Sequence, residues 1–177
     1  NFFTSAQATA YYIEKNYGKS KRAYVVGTDS FKKSLLDEGF NITDELEDGI
    51  ELLVVGFDTE LTYKKLEEAC ILIHRGVDYI ATNPDLACPS QYGFIPDCGA
   101  ITACIEAATG KKPHYAGKPD PTMIYMASEK AGIPLDKACM IGDRLYTDIA
   151  IGNNAGVLSV AVLTGETTRE EIANSEG

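Results

Sequence analysis

The sequence predicts an α/β protein built on parallel sheet. Two observations carry this. Short apolar runs alternate with helical patterns from one end of the chain to the other, and the helical patterns are long enough to serve as crossovers between parallel strands. A third points the same way: an apolar run ends in Gly142-Asp143 and a helical pattern follows at once, as happens at the carboxyl edge of an open parallel sheet.

In chain order, Thr4–Tyr17 reads as a helix with no strand before it. "AYVVG" (23–27) is a buried strand and "DSFKKSLLDEG" (29–39) a helix stopped by glycine. "IELLVVG" (50–56) is a second strand. The amphipathic helix "TYKKLEEACILIHRG" (62–76) follows, with Thr62 as N-cap and Gly76 as stop. "VDYIATN" (77–83) is a third strand, "GAITACIEAATG" (99–110) a small-residue helix, and "HYAGKP" (114–119) a short strand and loop. "PTMIYMASEKAG" (121–132) is a helix with Pro121 near its first turn. Strand "ACMIGD", helix "YTDIAIGNNAG", strand "VLSVAVLTG" and a last helix beginning at "TREEIANSEG" complete the chain. Crossovers in such units are right-handed. Both ends are expected to cut through a larger fold.

Composition narrows the function classes. The 177 residues are 45% apolar and 24% charged, enough for a core without disulfides or structural metal. The formal net charge is −10 and Lys and Arg do not cluster, which argues against nucleic acid and anionic lipid as partners. No apolar run reaches membrane-span length, and residues 1–10 carry no signal-like pattern. A small anionic substrate remains compatible, because a metal and one lysine can reverse the local field. The five cysteines include no CxxC pair and read as reduced, mostly buried thiols of a cytoplasmic protein. A zinc set of Cys88, Cys98, Cys104 and His114 matches no common spacing.

Two segments carry chemistry. In "MIGDRLYTDI" (140–149), Asp143 ends a strand, and Asp148 is expected in the first turn of the next helix, where the dipole favours its charge. Two carboxylates at one strand end suit a hard cation such as Mg2+. In "AGKPDP" (116–121), Gly117 lets the backbone pass close to a ligand, and Lys118 can hold a phosphoryl group and a carboxylate together. Lys118 lies one helix and one strand before Asp143, so one sheet edge can present both.

"GKP" followed by "GDRLYTDI" is similar to the third and fourth motifs of haloacid dehalogenase (HAD) phosphatases. "YVVG", "VVGFDTELTY", "ATNPD", "GAITACIEAATGKKPHYAGKP" and "VAVLTGET" resemble the NagD or p-nitrophenyl phosphatase branch along essentially the whole chain. The resemblance implies a Rossmann-like core, incomplete here, formed by residues 1–19 and 116–177, with a large inserted α/β cap over 20–115. It implies that Lys118 orients phosphate, Asp143 ligates Mg2+ with Asp148 in support, and Thr147 belongs to the same turn. Asn83 and Asp85 would lie near the substrate on a cap loop. The implied reaction is hydrolysis of a small phosphorylated metabolite, a sugar or nucleotide phosphate, and association of the protein with itself would run through the cap.

The family's first motif, DxDG(T/V), supplies the nucleophile and the acid/base, and no DxD occurs in these residues. That motif and the Thr or Ser of the second are expected before residue 1. "GFDTELT" imitates the first motif around Asp58, but the resemblance puts it in the cap, and a polar strand-to-helix loop is the plainer reading. His74 and His114 fit packing or surface roles. The rival readings are a metal-independent dehalogenase-type hydrolase, against which the second acid of "GDRLYTD" speaks, and a non-catalytic fragment that binds phosphate or metal.

Overall fold

The structure, a computed structural model, describes residues 2–175. It divides between Gly117 and Lys118 into two units. Unit 1 is a five-stranded parallel sheet of β1 (Ala23–Val26), β2 (Ile42–Thr43), β3 (Leu52–Val55), β4 (Asp78–Ala81) and β7 (His114–Tyr115), in the order β2-β1-β3-β4-β7. The other elements of this unit are the hairpin of β5 (Ala87–Ser90) with β6 (Gly93–Pro96) and four helices. The helices are α1 (Ser5–Asn16), α2 (Asp29–Asp37), α3 (Tyr63–His74) and α4 (Cys98–Thr109).

Both faces of this sheet are covered, so its central strands are apolar on both sides, as parallel strands require. Successive residues of β1 and β3 point to opposite faces. Tyr24, Val26, Leu53 and Val55 pack with Leu72 of α3 and Ile101 and Ile105 of α4. Val25, Leu52 and Val54 pack with Ile13 of α1 and Phe31 and Leu35 of α2. α1, which the sequence reading groups with 116–177, packs on this second face. The stripe Ala6, Ala10, Ile13, Tyr17 gives α1 one apolar side that needs cover. Thr4 caps α1 in a capping box with Gln7, and Thr62 caps α3 by accepting from Lys65 N. Gly110 ends α4 at φ 69°, in the left-handed region where a side chain is disfavoured.

One polar contact crosses the first core. Tyr24, fully buried, donates its hydroxyl to Glu68 Oε2 at 2.5 Å. Burial, then that carboxylate, pushes the phenol well above its ordinary value. Tyr24→Phe should therefore cost about 1–3 kcal/mol, since it leaves a buried carboxylate short of a donor. Urea unfolding would measure this, and the pair change Tyr24→Phe with Glu68→Leu should recover most of it.

Unit 2 holds α5 (Thr122–Ala131), β8 (Cys139–Gly142), α6 (Ala150–Ala155), β9 (Leu158–Ala161) and α7 (Arg169–Asn174). β8 and β9 pair in parallel, Cys139 opposite Leu158 and Gly142 opposite Ala161. Met126 of α5 and Ile151 of α6 are buried in this unit. The strands "VVG" and "MIG" therefore lie in separate sheets. The end of the predicted last helix, beyond residue 175, lies outside the described residues.

Candidate active site

At the carboxyl edge of the β8–β9 pair, β8 ends in Gly142 and delivers Asp143. The loop after β9 returns to it. Glu166 N donates to Asp143 Oδ2 at 2.9 Å, and Thr167 N donates to the Asp143 carbonyl at 3.1 Å. A Cβ on Gly165 would overlap the Asp143 carboxylate, so only glycine leaves that space. The Glu166 amide holds the Asp143 carboxyl below its ordinary range, and the nearby Arg144 and Lys118 cations act in the same direction.

Asp148 is 5% exposed. The sequence expects it in the first turn of a regular helix. The chain instead makes a wider turn over Leu145–Ile149, in which Ile149 N reaches back five residues to Arg144 O at 3.1 Å, and α6 starts at Ala150. The physical reason lies in the carboxylate. Asp148 Oδ2 accepts from Arg144 N at 3.3 Å, and Oδ1 meets Lys118 Nζ at 2.5 Å. A Cβ on Gly142 would overlap the Asp148 side chain, so the strand end and the buried acid lie in direct contact. Thr147 is buried beside it in the same turn.

Lys118 is held by its own loop. Asn154 Nδ2 donates to Pro119 O at 2.8 Å, and Asp120 Oδ1 accepts from Thr122 N at 2.9 Å at the start of α5. Arg144 Nε lies 2.6 Å from Glu166 Oε2, and Tyr146 donates to Glu166 Oε1 at 3.2 Å. Unit 2 thus holds Lys118, Asp143, Thr147 and Asp148, with Lys118 and Asp148 in direct contact. The sequence does not single out Gly142, Gly165 or the Glu166 amide, which make the space and the donor for the two carboxylates.

The other candidates sit in unit 1. Asn83 Oδ1 accepts from Asp85 N at 3.0 Å, and Asn83 Nδ2 donates to Thr82 Oγ1 at 3.3 Å, so this side chain shapes its own turn. The Asp85 carbonyl accepts from Gly99 N at 2.8 Å. Gly117 passes so close to Thr82 O that a Cβ would overlap it. Asp58 follows β3, and its side chain is wholly buried: Oδ2 lies 2.7 Å from Lys65 Nζ and Oδ1 accepts from Glu60 N at 2.8 Å. An acid closed off in this way is a loop clamp and offers no oxygen to a phosphorus atom. Of the four imagined zinc ligands, Cys98 is fully buried and directs its thiol to Val55 O. Among the described residues, no group of three or more His, Cys, Asp or Glu is placed to hold a metal ion.

The donors that unit 2 offers are carboxylate oxygens of Asp143 and Asp148, the hard ligands that Mg2+ takes in ones and twos beside water and phosphate. Asp148 is already neutralised by Lys118. Asp143, ionised and held by a backbone amide through Oδ2, is the better placed of the two.

The HAD-hydrolase-like family model matches residues 115–177. The solved structure of Bs-TpNPPase is 38% identical to this chain, covers 95% of it and is itself covered over 67%, with a TM-score of 0.86. The chain belongs to the HAD-like hydrolases. A second HAD-like structure with the same fold is the glycerol phosphate phosphatase of Mycobacterium tuberculosis in complex with magnesium. It is 31% identical, with a TM-score of 0.90, over 98% of this chain and 52% of that one. A curated relative is the acid sugar phosphatase of Staphylococcus epidermidis, 35% identical over 173 residues. This HAD-like chain is matched over 98% of its length and spans 66% of that relative's.

Proposed function

We propose that these residues serve a Mg2+-dependent phosphate monoester hydrolase acting on a small sugar or nucleotide phosphate. The observation that carries the reading is the contact of Lys118 Nζ with Asp148 at 2.5 Å, beside an Asp143 held ionised at the end of β8. The names of the similar proteins, a sugar phosphatase and a glycerol phosphate phosphatase solved with magnesium, support it. In this reading the protein is cytoplasmic, which its free thiols suit. No helix among the described residues is long and apolar enough to cross a membrane.

The division of labour follows from the chemistry. Asp143 would hold the metal and Asp148 would support it. The metal, when bound, would offset negative charge on phosphoryl oxygens. Lys118 orients the phosphate and remains charge-balanced by Asp148 when the site is empty. Residues 1–19 and 116–177 would form the core and 20–115 the cap, with Asn83, Asp85, Gly117 and Thr147 bordering the substrate. An aspartate outside these residues would attack phosphorus. Its carboxylate oxygen forms the new P–O bond as the alcohol oxygen leaves and takes a proton, and water then cleaves the aspartyl-phosphate to inorganic phosphate.

The test is phosphate release from p-nitrophenyl phosphate and from sugar phosphates. The 177 residues alone should give no turnover with or without Mg2+. The same residues preceded by a segment bearing both DxDG and the Thr or Ser of the second motif should give Mg2+-dependent turnover. Magnesium-dependent activity of the 177 residues that is lost in Asp58→Asn would overturn the reading.

A further inference from the structure

Two loops meet at the end of the β8–β9 pair, residues 143–146 after β8 and 162–167 after β9. They are joined at Asp143, where Glu166 N donates to Oδ2 at 2.9 Å and Thr167 N to the carbonyl at 3.1 Å. They are joined a second time at the Glu166 side chain. Arg144 Nε lies 2.6 Å from its Oε2, and Tyr146 donates its hydroxyl to its Oε1 at 3.2 Å. Glu166 therefore acts at both junctions. Its carboxylate ties its loop to the residues that follow Asp143, and its amide fixes the Asp143 carboxylate.

An aspartate side chain turns about two bonds. Once its Oδ2 is held by an amide, the group keeps one orientation, and the cost of ordering it no longer falls on the binding of a cation. The amide keeps its place as long as residues 162–167 do. We propose that Arg144, Tyr146 and the Glu166 side chain form a latch that positions Asp143 for the cation; this rests on the reading of Asp143 as the Mg2+ ligand. The three are positioning residues and none is itself a ligand. The latch lies at the rim, with the Arg144 and Glu166 side chains 34% and 51% exposed. An ion pair so open to water contributes little to the stability of a fold. Its loss should loosen the loop that carries the amide and leave the rest of unit 2 intact. Charge alone would act otherwise. Losing the Arg144 cation beside a Mg2+ site should tighten the metal, and losing the Glu166 anion should weaken it. A latch weakens it in both cases, and also when Tyr146 loses only a hydroxyl.

Calorimetric titration of the catalytically complete protein with Mg2+ tests this, with melting and the KM for p-nitrophenyl phosphate measured alongside. Arg144→Met, Tyr146→Phe and Glu166→Ala should each raise the Mg2+ Kd by about 3–10-fold, less than the 10–100-fold typical of a partner that touches a ligand directly. Melting should be nearly unchanged. Arg144→Met combined with Glu166→Ala should be no weaker than Glu166→Ala alone, because one latch can be lost only once. A tighter Mg2+ in Arg144→Met, or an unchanged Kd in Tyr146→Phe, overturns the latch while leaving Asp143 as the ligand. So does a raised KM with an unchanged Mg2+ Kd in any of the three, which would put these side chains on the substrate. A Kd that Asp143→Asn leaves unchanged overturns the reading of Asp143 and the latch together.

Discussion

Replacing Lys118 by methionine should stop phosphate turnover and at the same time destabilise unit 2. The two effects have separate causes and separate readouts. Asp148 is nearly fully buried and has two described partners, Lys118 at 2.5 Å and the Arg144 amide at 3.3 Å. Without the ammonium, a buried carboxylate is left with one long hydrogen bond. Breaking a fully buried pair costs about 3–5 kcal/mol. The Lys118 side chain is 37% exposed, so solvent screens part of that, and about 2 kcal/mol is expected. Adding Asp148→Asn should return most of the stability, because no charge is then stranded. It should not return activity, because the proposed phosphate-orienting cation is still missing. Urea unfolding and phosphate release, measured on the catalytically complete protein, read the two effects apart. Recovery of turnover in the double variant would remove Lys118 from any role beyond neutralising Asp148.

Two glycine substitutions, Gly165→Ala and Gly142→Ala, should give opposite signatures. The methyl of Gly165→Ala would meet the Asp143 carboxylate and also its Cβ, so the carboxylate must rotate aside and the loop after β9 must give by a few tenths of an ångström. The fold should lose about 1 kcal/mol, because rotation of the carboxylate absorbs only part of the overlap. The carboxylate, however, would leave the Glu166 amide that holds it at 2.9 Å, and displacing a group of the proposed metal site is expected to cost about 10–100-fold in turnover. The methyl of Gly142→Ala would meet the Cβ and Cγ of a buried Asp148 inside a tight turn. Nothing there can rotate away, so overpacking of about 1–3 kcal/mol is expected, with Lys118 displaced along with its partner. Equal melting temperatures for the two variants would show that the turn yields more easily than this packing implies.

What the sequence makes legible here is periodicity and local chemistry. β1 and β3 are evident because both faces of those strands are buried, so "YVV" and "LLVV" are continuous apolar runs. The β5–β6 hairpin is not, because its positions are mostly exposed and it contains Pro89 and Pro96, which demote a strand in any propensity argument. β2 is two residues long and leaves no pattern to read. The HAD-like motifs point to Lys118, Asp143 and Asp148, since charged residues at strand ends are visible one at a time. The glycines that make room for the carboxylates are visible only in space. Gly165 lies 22 residues after Asp143, and nothing in the quoted "VAVLTGET" says that it stands against that carboxylate.

In unit 1 the chain runs one way from β1 to β2, and then returns the other way from β2 across β1 to β3. Open parallel sheets of this kind usually take nucleotides or similar guests in the cleft where the connections diverge. Here that cleft is plugged from within. Lys65 Nζ binds Gly27 O at 3.3 Å behind β1, and Asp58 and Glu60 O behind β3, while Glu60 Oε2 accepts from Asp29 N at the head of α2. Unit 1 thus closes the mouth of its own switch point with an ion pair, which ties the loops after β1 and β3 to α3.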